Sequence, residues 1–182
     1  MLNINFPKID KKTFNDLELS LVEEKVKINI RGKNKDFFTK VGKITSIILP
    51  TEANTSSSNE KFNALWLSPD EWMIYFDGKD TNNVIHNLFN EISKLNFGAI
   101  TEISDHWVCF NIKGRKTFDL LSSSSPFNFN SFKKNKNNVT QTVLNHTDVI
   151  IHHKEVDDVN LFVRRSFAED LWLWINDSAR FL

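Results

Sequence analysis

Cysteine and glycine are nearly missing from this 182-residue chain, which has one Cys and five Gly. The lone Cys109 excludes an internal disulfide framework and any multi-cysteine zinc site. Gly32, Gly42, Gly78, Gly98 and Gly114 stand far apart, so no glycine-rich phosphate loop and no dinucleotide fingerprint can be assembled. Net charge is absent too: 23 Lys and Arg face 23 Asp and Glu. A sequence-independent grip on DNA or RNA rests on surplus cations, so nucleic acid is not an expected partner. No apolar run approaches the roughly 20 residues of a membrane span. The opening Met1–Lys8 stretch shows no basic segment followed by an apolar one, so no secretory signal is expected and the chain reads as cytoplasmic.

What is abundant is aromatic. Sixteen Phe and five Trp stand against a single Tyr. That is a large apolar payload for this length, and it implies an aromatic core, a surface meant for a partner, or both. Asn, Lys, Ile and Phe are used heavily, as in an AT-rich genome.

Periodicity sets out the elements. Residues 1–24 lack sustained pattern and are expected as an arm with a short strand or turn. Lys25–Arg31 alternates polar and β-branched residues, the pattern of a half-buried strand. Asn34 or Asp36 can open a short helix through Phe37, Phe38 and Val41. The small polar stretch Thr51–Asn59 reads as a loop. A hairpin follows, from Phe62–Leu67 through a Ser68-Pro69-Asp70 turn to Trp72–Phe76. Over 81–96, Val84, Ile85, Leu88, Phe89, Ile92 and Leu95 mark one helical stripe, with Asp80 as cap and Gly98 as stop. Strands are expected at 99–103, 107–112, 139–144, 149–151 and 160–163, with a short helix after Gly114. The last helix carries a capping-box pattern, Ser166 with Glu169, and a stripe of Phe167, Leu171, Trp174, Ile175 and Ser178. This β-α-β-β-α-β, β-α-β-β-β-α order suits an α+β build with antiparallel sheets covered on one face. The expected division is an arm over 1–24, a first lobe over 25–104 and a second over 105–182, in one compact unit.

Chemistry is harder to find. Cys109 sits in the apolar run Val108-Cys109-Phe110, a setting for packing rather than for a thiolate. His146, His152 and His153 lie near Asp157 and Asp158, but adjacent strand residues point to opposite faces and cannot share one ion. His106, beside Asp105, could be an acid–base residue or a turn hydrogen-bonder. Lys133-Lys134-Asn135-Lys136 reads as a solvated loop. The residue types thus nominate no catalytic, cofactor-binding or metal-binding side chain. The Phe-Asn-Phe-Asn alternation at Phe127 and Phe129 buries one face, Phe132 is offset from it, and Trp172 lies off the main stripe of the last helix. These four are the partner-interface candidates, with core packing as the reading beside it for each.

Three segments carry a family resemblance. Leu65-Trp66-Leu67-Ser68-Pro69-Asp70-Glu71-Trp72 is similar to the Leu-Gly-Pro-Asp-Glu-Trp hairpin of the heterotetrameric sarcosine oxidase gamma subunits, with Ser68 in place of Gly. Ile103-Ser104-Asp105-His106, Ile112-Lys113-Gly114, Leu120-Leu121 and Ser125-Pro126-Phe127-Asn128-Phe129 resemble that family's Val-Ser-His, Gly turn, Asp-Leu-Leu and Cys-Pro-Leu-Asp-Leu, with Ser125 where Cys is usual. Val163-Arg164-Arg165-Ser166-Phe167-Ala168, followed by Leu171-Trp172-Leu173-Trp174-Ile175, resembles the family's Val-Arg-Arg-Ser-Phe-Ala and Leu-Trp-x-Trp-Leu ending.

The resemblance implies two ferredoxin-like lobes, like the folate-binding lobes of the glycine-cleavage T-protein. It also implies a non-catalytic gamma subunit working with alpha, beta and delta partners in the oxidative demethylation of sarcosine to glycine. FAD, FMN, NAD, tetrahydrofolate and zinc would belong to those partners. The alternative is a stand-alone tetrahydrofolate-binding or one-carbon transfer protein. There the acidic turn before an aliphatic strand would be Asn145-His146-Thr147-Asp148, which is short for that task.

Overall fold

The structure, a computed structural model, describes residues 10–22, 25–78 and 81–182. Asp80, the expected helix cap, lies outside the described residues. In chain order the elements are β1 (Lys12–Phe14), β2 (Leu17–Leu21), β3 (Lys25–Gly32), α1 (Lys35–Thr45), β4 (Ser56–Ser58), β5 (Phe62–Ser68), β6 (Glu71–Asp77), α2 (Thr81–Ile92) and β7 (Gly98–Glu102). Then come β8 (Trp107–Lys113), α3 (Thr117–Ser122), α4 (Phe129–Phe132), β9 (Val139–Leu144), β10 (Thr147–Glu155), β11 (Asp158–Arg164), a 3-10 turn (Arg165–Phe167) and α5 (Ala168–Ala179). The chain divides into two compact units. A middle unit holds described residues from 25 to 107 with 137–140, and a terminal unit holds 10–22, 108–136 and 141–182.

In the middle unit the sheet order is β4-β5-β6-β3-β7, with every neighbouring pair antiparallel. Leaving β4 aside, β3-α1-β5-β6-α2-β7 is the ferredoxin-like β-α-β-β-α-β order. Register explains the core. Val26 lies opposite Phe76, Ile28 opposite Ile74 and Ile30 opposite Trp72, so one sheet face is uniformly apolar. Phe37 and Val41 of α1 and Val84, Leu88 and Ile92 of α2 pack on it. Asn34 caps α1, its side-chain oxygen accepting from the Phe37 N–H at 2.8 Å. Trp72 is fully buried beside Phe37 and Phe38, and its Nε1–H donates to the Pro50 carbonyl at 2.8 Å.

Two details depart from the periodicity. The expected loop over 51–59 contains β4, because the free edge of β5 supplies a ladder that three small serines can join. On α2, Phe89 is the one stripe residue left largely in solvent, 55% exposed.

In the terminal unit the order is β1-β2-β8-β11-β10-β9. The run β2-β8-β11-β10 repeats the middle unit's β7-β3-β6-β5 arrangement. Here the fourth strand of that arrangement is β2, which precedes the middle unit in the sequence. Leu19 pairs with Ile112, and Val149 and Ile151 pair with Val163 and Leu161, lining one face. Residues 10–22, expected as an arm, therefore form a hairpin that completes the sheet. Gly114 makes the adjoining turn at φ 131°, its N–H donating to the Asp157 carbonyl at 2.8 Å. A Cβ there would lie 2.2 Å from the Asp16 carbonyl oxygen, so only glycine fits.

The closing helix is also offset from expectation. Ser166 does not cap it; the chain makes a 3-10 turn first, and α5 starts at Ala168 with no side-chain cap bond. Its buried stripe is Ala168, Leu171, Trp172, Ile175, Asn176 and Ala179, rotated from the expected one so that Trp172 points inward.

Candidate functional site

The groups able to do chemistry are scattered. Cys109 is buried on β8. His106 is exposed in the turn before β8, edge-on to the Trp107 ring at 5.6 Å. Asn145 and His146, at φ 47° and 65°, form the two-residue turn of the β9–β10 hairpin, and Asp148 is exposed two residues on. The histidines 152 and 153 do face opposite sides of β10 and are both buried. Burial, then the charges of Lys154 and His153, push the His152 imidazole down to about 3, so it stays neutral through the physiological range.

His153 sits on the core face, stacked on Phe132 at 5.6 Å and edge-on to Phe118 at 5.3 Å. Its Nδ1–H donates toward the Asn135 carbonyl at 2.8 Å and the Phe132 carbonyl at 3.2 Å, tying down the loop after α4. Asp158 accepts from the Asn111 amide at 2.6 Å, a bond that joins β8 to β11. Among the described residues no three His, Cys, Asp or Glu side chains gather within reach of one metal ion.

The four interface candidates are placed by packing. Phe129, Phe132 and Trp172 are buried in the terminal core, and Phe127 packs against it half-buried. Phe127, Phe129 and Phe132 form a mutual cluster with centroids 4.9 to 5.7 Å apart, and Trp172 lies 5.0 Å from Phe110. The alternation is expected to bury Phe127 and Phe129 together with Phe132 offset, whereas α4 winds Phe129 and Phe132 onto one side. The core reading weighed beside the interface reading is thus the one the packing supports for three of the four.

The apolar side chains that do face solvent are others. On the outer face of the last helix and its flanks stand Phe167, Leu173 (57% exposed) and Phe181 (89% exposed), with Trp174 half-buried between them. Phe167 and Trp174, seven residues apart, belong to the stripe expected from the sequence, which the packing turns partly outward.

The three family-like segments sit at junctions of the fold. In the β5–β6 turn, Ser68 Oγ donates to Asp70 Oδ1 at 3.0 Å, while Arg31 and Lys33 approach the same carboxylate at 3.5 and 3.6 Å. The Ser68 hydroxyl, with Arg31 and Lys33, holds the Asp70 carboxyl below the usual carboxylate range. Glu71 Oε1 accepts from the Asn29 amide at 2.6 Å. Ser104 accepts the Lys27 backbone N–H on its hydroxyl and the Lys27 ammonium on its carbonyl, both at 3.1 Å. Ser125 Oγ lies 3.2 Å from Thr142 Oγ1 and accepts the Phe127 N–H. In the third segment Val163 and Ala168 are core, whereas Arg164, Ser166 and Phe167 face outward and lead into the α5 stripe.

Comparison with known proteins accords with these placements. The chain superposes on heterotetrameric sarcosine oxidase from Corynebacterium sp. U-96, in complex with pyrrole 2-carboxylate, with a TM-score of 0.82 at 18% identity. That alignment covers 90% of this chain and 83% of the other. It also superposes on the glycine cleavage system aminomethyltransferase T from Bartonella henselae, with a TM-score of 0.70 at 11% identity, covering 91% of this chain and 46% of that one. At such identities both likenesses describe the fold: two antiparallel, ferredoxin-like sheets with helices. A search of curated protein sequences returned no match. The sarcosine oxidase, gamma subunit family matches residues 31–180, taking in all three segments, and the chain belongs to that family.

Proposed function

We propose that this chain is the non-catalytic gamma subunit of a heterotetrameric sarcosine oxidase, acting in assembly with alpha, beta and delta partners. On this reading the partners carry FAD, FMN, NAD, tetrahydrofolate and zinc, and the complex works in one-carbon metabolism in the cytoplasm. The supporting observation is the family match over residues 31–180. The arrangement of the third family-like segment is consistent with it. One half, Val163 and Ala168, anchors in the core, and the other, Arg164, Ser166 and Phe167, opens onto an apolar helix face. Leu173 and Phe181 are exposed as well, which gives a partner large apolar side chains in a chain with balanced charge.

Co-expression of this chain with the three partner subunits tests the reading. The expected product is a yellow complex that contains it, and Leu173→Asp or Phe181→Asp is expected to shed this subunit while the chain itself stays folded. Recovery of an active flavin complex without it overturns the assembly role. Tetrahydrofolate binding by the isolated chain in calorimetry, lost in Asp148→Ala, would instead establish the folate reading.

A further inference from the structure

The two edges of the middle sheet are treated differently. At one edge β4 is covered. Ser56 N–H donates to the Asn137 carbonyl at 2.7 Å, Val139 N–H donates to the Asn54 carbonyl at 2.8 Å, and Thr55 bridges Asn138. The opposite edge is β7, Gly98-Ala99-Ile100-Thr101-Glu102, which among the described residues pairs only with β3.

The register says which of its backbone groups are spent. Glu102 lies opposite Ile28, and just beyond it the Ile103 N–H donates to the Lys27 carbonyl at 2.8 Å. Antiparallel pairs alternate, so Thr101 and Ala99 also exchange bonds with β3, and the N–H and C=O of Gly98, Ile100 and Glu102 point away from it. Among the described residues nothing covers these groups. The strand has no Pro, no Lys and no bulge, the usual devices that blunt an edge. Ala99, Thr101 and Glu102 are exposed, and Phe97 just before them is 70% exposed.

We propose that β7 of the chain outside the heterotetramer is a strand-pairing surface and that its occupant there is the β7 of a second copy of this chain. The edge is self-complementary. An antiparallel pairing centred on Ile100 sets Ile100 against itself across a two-fold axis and Gly98 against Glu102 on each side. All three outward residues then gain partners. The single charge of the strand meets a glycine in this register, not a second carboxylate. The flanking Phe97 comes to lie opposite Ile103 of the copy, which covers the exposed ring. Two five-stranded sheets become one of ten strands.

Such an edge is small beside ordinary stable interfaces, so the association is concentration-dependent. Sedimentation of the full chain from micromolar to about 1 mM reads it directly. The expected result is a monomer–dimer equilibrium that Ile100→Pro weakens at least about tenfold, because Pro removes an outward N–H twice per dimer and leaves the β3 ladder intact. Amide exchange on the unmodified chain keeps the test independent of that variant. The Ile100 and Glu102 amides are expected to slow as concentration rises, while those of Ala99 and Thr101 are slow throughout. A monomer across the whole range overturns the proposal. So does a dimer whose Ile100 and Glu102 amides still exchange freely. If the chain alone stays monomeric and Ile100→Pro instead abolishes recovery with the partner subunits, the edge belongs to a partner strand and the homodimer is refuted.

Discussion

The middle and terminal units have the same strand arrangement, yet they complete it by opposite routes. The middle unit takes all four ferredoxin-like strands from one continuous stretch, β3 to β7, with local crossovers. The terminal unit takes its fourth strand, β2, from the stretch that precedes the middle unit. The arrangement therefore depends on which apolar faces can pair and be covered, not on the order in which strands are met. The two routes should differ in their weak points, and four experiments probe that difference.

Truncation through Val22 should do the greatest damage. It removes Leu17 and Leu19 from the terminal core and strips the partner from β8. At about 2–5 kcal/mol for each buried leucine, the loss rivals the whole stability of a small domain. Loss of cooperative urea unfolding in the terminal unit, read by the amide exchange of Phe110 and Ile112, is the expected outcome. Retained protection there would mean that β2 is dispensable.

Next come the two anchoring tryptophans. Trp72→Ala is expected to cost about 3–5 kcal/mol, since the side chain is fully buried and hydrogen-bonded. Trp172→Ala should fall at or below the low end of that range, because Trp172 keeps some exposure at the end of its ring contact with Phe110. Denaturant midpoints at constant slope compare them, and the reverse order would contradict the core assignments.

Gly114→Ala has no counterpart in the middle unit. The added Cβ meets backbone, not a movable side chain, at a positive φ, and a loss of about 2 kcal/mol is expected. Thermal unfolding checks it.

The smallest effects separate the units by pH. His152, in the terminal unit, binds its proton more readily unfolded, near 6.5, than folded, near 3. Its contribution is therefore complete above about 6.5 and drains away as pH falls toward 3. Glu91, in the middle unit, is drawn from 4.5 down to about 2 by Lys40 first and then Lys94, so its contribution is complete above 4.5 and is lost toward pH 2. Glu91 and both lysines stay accessible to water, so this share is slight and screened by salt. Urea midpoints between pH 7 and pH 5 should fall in the parent chain and flatten in His152→Asn, whereas Glu91→Gln should change nothing in that window.

Much of the middle unit was legible from residue order. The hairpin around Ser68-Pro69-Asp70 and the helix with Leu88 and Ile92 declare themselves by local period, and local pairing then follows. The α+β class was equally plain. What escaped was decided at long range. No local pattern makes three serines a strand, and nothing within residues 10–22 points to Ile112 as a neighbour. In α5 the segment supports two apolar stripes, and only the packed sheet selects the one through Trp172. The same ambiguity moved the interface candidates: Phe129, Phe132 and Trp172 are large enough to be either, and the terminal core needed them. The exposed Phe97 beside β7 had no sequence signal at all, since an unpaired edge is defined by what does not pair with it.

The borrowed strand has a consequence in time. A ribosome delivers β2 first and β8, its partner, only after residues 22 to 106 have been made. At typical synthesis rates of about 5–20 residues per second, the N-terminal hairpin waits roughly 4–17 s with Leu17 and Leu19 uncovered. During that wait the middle unit's β3–β7 strands emerge one after another, each with its partners already made or soon to follow. The cell thus holds Leu17 and Leu19 without their partner strand while the middle sheet grows, and chaperone capture during translation should concentrate on residues 10–22.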